Sequence, residues 1–308
     1  MSIELAITTP ALLAGSMVTW AALFATGLPT LACSLIASGA MVSGLLLLER
    51  VAARPGLAPR PTGTLHSDLA FTATTTLVAV AVPYLVSIPL GRAAGVALGT
   101  ASLWPARLPR PASIVACVLV ADFTSYWWHR IQHRSGASWL WRIHSVHHSS
   151  RHFDLWMGGR VHPLDALGFT TVGYALLAVV GAPVTAIEIT AFFASMVGAV
   201  HHTSADSDCR GFNRVIPFAD HHIVHHSIRA HDAGNYGNIT TLFDQLFGTY
   251  RVPTPRKAAP LGAWSLAPDY PQGDFLFQLA SPFGRRWARA AATPERRRRD
   301  DDEHVAEV

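Results

Sequence analysis

Asp122 to His133 reads D-F-T-S-Y-W-W-H-R-I-Q-H, and His144 to His148 reads H-S-V-H-H. A helix turns about 100° per residue, so positions four and seven apart share a face. Asp122, Tyr126, His129 and His133 therefore form one stripe of one helix. His144, His147 and His148 share a helix face, and the same spacing returns at His222, His225 and His226. A lone HxxxH pair is common and is most often a satisfied surface or core pair. Three clusters, two with identical spacing, point instead to a metal cage assembled from several helices, because neutral imidazole is the commonest metal ligand. The spacing does not choose among zinc, copper, iron and nickel. Eight imidazoles exceed the four to six donors, roughly, that one such ion takes, which argues for two ions.

The 308 residues are 50% hydrophobic and only 14% charged, against about 25% charged in a soluble domain. That deficit places the chain among membrane proteins. The net charge of +4 comes from cations in the loops and C-terminal tail. This suits a positive-inside membrane protein and argues against a nucleic-acid partner. Cys33, Cys117 and Cys209 form no CxxC, so neither a disulfide framework nor a cysteine-ligated zinc is expected.

Pro10–Gly27 and Leu31–Leu48 are apolar runs of about the length that crosses a hydrocarbon core of roughly 30 Å, joined at the Leu28-Pro29-Thr30 turn. No basic region precedes the first run, which argues against a signal peptide. Arg50, Arg54 and Arg60 follow, which puts this loop and the N-terminus in the cytoplasm. Asp68–Leu90 reads as a third span whose threonines bond their own backbone, and Ala93–Trp104 as a short interfacial or re-entrant piece. Ser113–Trp128 reads as a fourth span that delivers His129 to the cytoplasmic surface, with Trp127 and Trp128 either at the membrane boundary or in the core. Ala166–Val180 and Val184–Val200 form a helical hairpin that dips into the bilayer and returns, so His201 and His202 emerge on the same side as His148. Glu188 inside this hairpin is a costly ionisable group, either functional or paired across the bundle. Pro282–Ala292 reads as a basic surface helix and Glu295–Glu303 as a disordered charge run.

The expected fold is an all-α integral membrane helical bundle of about four full spans plus the dipping hairpin, with a cytoplasmic histidine-rich helical cap. Residues 1–112 form the N-terminal membrane-spanning region, 113–252 the catalytic domain and 253–308 the tail.

The motifs together resemble the fatty acid hydroxylase / sterol desaturase superfamily of membrane-bound di-iron enzymes. The matching pieces are D-x-x-x-Y-x-x-H-R-x-x-H at Asp122–His133, H-x-x-H-H-S at His144–Ser149 and His222–Ser227, and R-x-H-P-L-D at Arg160–Asp165. D-x-x-N-Y-G at Asp232–Gly237 and D-x-L-F-G-T at Asp244–Thr249 (with Gln245 inside) complete them. The resemblance covers about Ala121 to Tyr250 and implies metal-ligand roles for His129, His133, His144, His147, His148, His222, His225 and His226. It also implies a histidine just after the hairpin, His202 in preference to His201, and a further ligand at His162. His152, His221 and His231 are expected either to surround the site or to lie at the surface. Asp122 is placed to accept the free ring N–H of a ligand histidine, with Asp165, Asp232 and Asp244 as similar candidates. Asn235 and Tyr236 are expected to shape the turn that closes the site.

What the resemblance implies is a pair of iron ions, with zinc as a substitute in purified material. Molecular oxygen and external electrons would hydroxylate or desaturate an unactivated C–H bond of a lipid from the bilayer. No GxGxxG or haem-like segment is present, so the electrons come from a separate ferredoxin or cytochrome with its NAD(P)H reductase. Arg130, Arg134, Arg142 and Arg151 form a basic patch that suits an acidic carrier or lipid headgroups. Two rival classes are a histidine-rich membrane metal transport or storage protein and a zinc hydrolase. The first wants ligands near the bilayer midplane, and the second needs only about three protein ligands.

Overall fold

The computed structural model describes residues 3–134, 139–206, 209, 211–228, 232–252, 261–263 and 270–284. The expected basic helix beyond 284, the charge run, His231 and the Arg134 side chain lie outside the described residues. Among those described there is no strand, only two isolated antiparallel bridges, Ala53 with Ala205 and Ser227 with Leu261. Helix α1 (Ile3–Ala25) and α2 (Thr30–Val51) pair as a hairpin. Gly27, at φ 87°, closes the connection between them. Trp20, Cys33 and Met41 from this pair pack on Phe192 and Val197 further along the chain.

Helix α3 (Leu65–Val82) runs through a π-helical turn (Pro83–Ser87) into α4 (Ile88–Ala97) without a break. Pro83 has no N–H to continue the ladder. The chain absorbs this by shifting one residue, so that the Ile88 N–H reaches the Pro83 carbonyl five residues back. Ala93–Ala97 is therefore the end of this long helix and not a separate interfacial piece, which corrects the sequence expectation. Thr72 and Thr74 do bond backward within the helix, to the Asp68 and Ala70 carbonyls. Thr75 reaches outward instead, to the carbonyls of Gly159 and Val161.

Helix α5 (Arg110–Arg134) carries the first histidine pair on its last turns. Next come α6 (Trp139–His148), the single turn α7 (Leu155–Gly158), and the hairpin of α8 (Pro163–Val179) and α9 (Val184–Val200). Gly181, also at φ 87°, makes the turn between α8 and α9. Helix α8 lies along the α3–α4 rod on one side and α5 on the other. The short helices α10 (Ala219–His225), α11 (Leu242–Leu246) and α12 (Phe275–Ala280) complete the described residues.

Among the described residues three helices are long and apolar enough to cross a membrane: Ile7–Ala25, Thr30–Val51 and the 33-residue Leu65–Ala97. Helix α5, with Asp122 and the polar run from His129 in its second half, is not among them. Helices α8 and α9 have 17 residues each, fewer than the 20 or so that a full crossing needs. Glu188 lies about 20 Å along the α9 axis from His201, too far to touch the histidines.

Candidate metal centre

The histidines converge at one end of the bundle, where α5 and α9 end and α3 and α8 begin. They form two groups. His129, His133, His144, His148 and His225 each offer a ring nitrogen within 4.8 Å of the others, and so do His147, His202, His222 and His226. Both H-x-x-H-H motifs are divided between the groups. His144 and His148 serve the first while His147 serves the second; His222 and His226 serve the second while His225 serves the first. Helical geometry explains this. Positions i and i+4 are about 40° apart, but i+3 lies about 100° from i+4 and so faces a neighbouring centre.

The ring tautomers follow from the outer contacts. Carbonyl oxygens only accept, so Nδ1 carries the proton where it meets one. His129 Nδ1 donates to the Tyr236 carbonyl at 2.9 Å, His147 to Arg160 at 3.2 Å, His202 to Gly198 at 2.8 Å and His225 to Gly234 at 2.8 Å. His144 Nδ1 donates to Asp165 Oδ2 at 2.8 Å. In the neutral form of these rings Nε2 is then left as a bare lone pair.

In each group the Nε2 atoms converge. His129 and His148 Nε2 each lie 3.1 Å from His144 Nε2, and His225 Nε2 lies 3.1 Å from that of His148. In the second group His202 Nε2 lies 3.2 Å from His147 and 3.1 Å from His222, which is 3.1 Å from His226. The His129–His144 and His147–His202 contacts each join two rings whose Nδ1 is already the donor, so in neutral rings neither Nε2 can donate to the other, and a cation between them would make the contact favourable. Ligands about 2.0–2.1 Å from a common ion stand roughly 3.0–3.4 Å apart, so the observed spacing fits ligation in both groups.

Burial keeps the rings neutral. It lowers the His202 imidazole to about 4 and that of His225 to about 3, and holds His129, His147, His148 and His222 well below their ordinary value. Neighbouring imidazoles add to the effect around His129, His147, His148 and His222.

Some expected roles are corrected. His162 stands outside both groups because its nitrogens are engaged elsewhere. Its Nδ1 accepts the Leu164 N–H as the cap of α8, and its Nε2 lies 3.1 Å from the Leu279 carbonyl. Asp122 orients no histidine. Its carboxylate accepts the Ile239 and Thr240 N–H groups at 3.1 Å each, and the Thr240 hydroxyl, fixing the turn after Tyr236. Asp165 takes the orienting role, and its other oxygen is held by Trp128 Nε1 at 3.1 Å and Gln132 Nε2 at 2.6 Å. Trp128 thus supports the site rather than marking a membrane boundary. Replacing Asp165 with leucine is expected to weaken metal binding in the first group by about 10- to 100-fold, measured by competition with a chelator.

Asp244 accepts the Tyr236 and Gly237 N–H groups at 2.8 and 2.7 Å. Asn235 adopts φ 56° and bonds to the His221 and Arg251 carbonyls. Together they hold the Tyr236 carbonyl on His129. The Tyr236 ring itself packs against His129, His133 and His225. His201 stacks on His222 with ring centroids 4.1 Å apart but belongs to neither group. His221 packs on Tyr250, and His152 lies 3.2 Å from Asp68. Arg130 donates to the Tyr126 hydroxyl at 2.8 Å and covers the Trp127 ring.

The sequence model of the fatty acid hydroxylase family matches residues 114–249. The chain is 29% identical over 184 residues to ornithine lipid hydroxylase OlsE of Rhizobium tropici, covering 59% of this chain and 54% of that protein. It is 30% identical over 177 residues to methylsterol monooxygenase 2-2 of Arabidopsis thaliana, covering 54% of this chain and 61% of that protein. To alkylglycerol monooxygenase of Caenorhabditis elegans it is 25% identical over 143 residues, covering 46% and 28%. The chain thus spans about half the length of the first of these relatives. No solved structure matches.

Proposed function

Because residues 114–249 belong to the fatty acid hydroxylase family, we propose that the chain is a membrane-bound di-iron oxygenase that hydroxylates an unactivated C–H bond of a lipid. The observation that carries this reading is the convergence of ring nitrogens in two groups. They supply nine imidazoles, a donor set that suits iron. Bound there and reduced by an outside carrier, the iron pair supplies oxygen activation and removal of a hydrogen atom, chemistry that belongs to the cofactor. The chain's own residues do the rest. Asp165 and the four carbonyls hold the rings in one tautomer, and Tyr236 and Phe169 pack beside the His129 ring and keep water from it.

Hydroxylation is favoured over desaturation because the relatives compared are named as hydroxylases or monooxygenases. A transport or storage role is disfavoured because five rings are locked through Nδ1, which suits a resident ion. The histidine end of the bundle is shared with the loop that carries Arg54 and Arg60, and by the positive-inside rule this supports a site on the cytoplasmic side. The test is expression in a host whose lipids are then analysed by mass spectrometry, with metal analysis of the purified protein. A lipid gaining 16 mass units is expected. A loss of 2 would assign desaturation, and an unchanged lipid pool with less than one metal per chain would refute the enzyme reading.

A further inference from the structure

The second histidine group leans on one short segment, residues 154–160. Gly158 lies so close to His202 that an added Cβ would sit 2.6 Å from its Cβ and Cγ. The Arg160 carbonyl holds the His147 Nδ1 proton. Among the described residues the first group's rings make no hydrogen bond to this segment, which meets them at one remove, where Arg160 Nη1 lies 3.5 Å from the hydroxyl of Ser149 beside His148. The first group's outer contacts are Asp165 and the Tyr236 and Gly234 carbonyls.

The segment is anchored by Arg160, whose guanidinium is fully buried. Its Nε donates to Asp68 Oδ1 at 2.6 Å, and Asp68, itself fully buried, belongs to α3. Its Nη1 donates to Gln278 Oε1 at 2.7 Å and to the Gln272 carbonyl at 2.8 Å. Gln278 is fully buried and sits on α12, beyond the residues that match the family and beyond the catalytic boundary expected at 252. Its amide NH2 donates to Ser67 Oγ at 3.1 Å and to the Gln272 and Asp274 carbonyls. Arg60 bridges Asp68 and Asp154 from the preceding loop. One buried arginine therefore joins a long apolar helix, a segment near the C-terminus and the backbone that aims His147.

We propose that Arg160, Asp68 and Gln278 are positioning residues of the second histidine group, and that the first group is independent of them. This rests on the reading that both groups hold metal. The geometry explains the selectivity: loosening Arg160 frees the carbonyl on His147 and the glycine against His202, while Asp165 keeps its grip on His144.

The test uses the full chain in detergent, stripped and reloaded with Co(II), whose visible bands distinguish four- from five-nitrogen sites. Gln278→Met keeps the size of the side chain and removes its bonds to Arg160, Ser149 and Ser67. Phe275→Ala is the control; Phe275 packs edge-on to Phe71, 4.7 Å between centroids, and its ring has no hydrogen-bonding group to give the hub. Wild type is expected to hold two ions per chain. Q278M is expected to bind its second ion about 10- to 100-fold more weakly, with the band of the five-imidazole group unchanged. F275A is expected to melt earlier and still hold two ions. Wild-type affinity for both ions in Q278M would overturn the proposal. So would loss of both ions together, or loss that tracks melting temperature in both variants. Fewer than two ions in the wild type would instead refute the two-metal reading on which it stands.

Discussion

Alanine at His147 is expected to abolish turnover while the protein still inserts and folds. The residue lies in the last turn of α6, outside the apolar cluster that holds α1, α2 and α9 together. Its Nε2 faces His202 at 3.2 Å, and its loss leaves three rings in the second group. The effect should exceed the roughly 10- to 100-fold that follows removal of an outer partner, because a donor itself is gone. Membrane fractionation and helical circular dichroism should match wild type. Full lipid oxidation by the variant would remove His147 from the site.

Stripping the metal should make the fold acid-sensitive. Burial lowers the His202 and His225 rings to about 4 and 3, against about 6.5 in the unfolded chain. A folded state with lowered values binds fewer protons than the unfolded one. Its stability is therefore complete above about pH 6.5 and drains as pH falls toward the folded values. Each ring contributes about 1.4 kcal/mol per pH unit in that window, so this pair alone removes roughly 4 kcal/mol by pH 5. Melting of the chelator-treated protein should be flat between pH 8 and 7 and fall steeply from 6.5 to 5. A flat profile to pH 5 would mean that these imidazoles are not buried and neutral.

Much of this was legible in the sequence, and what was not is a matter of distance along the chain. H-x-x-H-H spacing, apolar runs and turn residues are local, so the helices and the histidine clusters could be read directly. The division of each motif between two centres was not, because it depends on where the neighbouring helices stand. Asp122 shares a helical stripe with His129, yet the ring-orienting carboxylate is Asp165, brought to His144 by the packing of α8. His162 sits in a metal-like motif but is spent on capping a helix. Gln278 left one faint signal: a lone amide in F-L-F-Q-L-A, a segment with little other reason to carry a polar group.

The glycines of the bundle also decide how a lipid can arrive. A Cβ on Gly91 or Gly95 would sit 2.6 or 2.3 Å from the carbonyls of Ala175 or Val179, and one on Gly168 or Gly173 would strike Trp128 or Thr124. At these four points α8 and its neighbours meet too closely for a hydrocarbon tail to wedge between them. On the proposed function, a lipid moving sideways out of the bilayer would need a doorway away from these contacts.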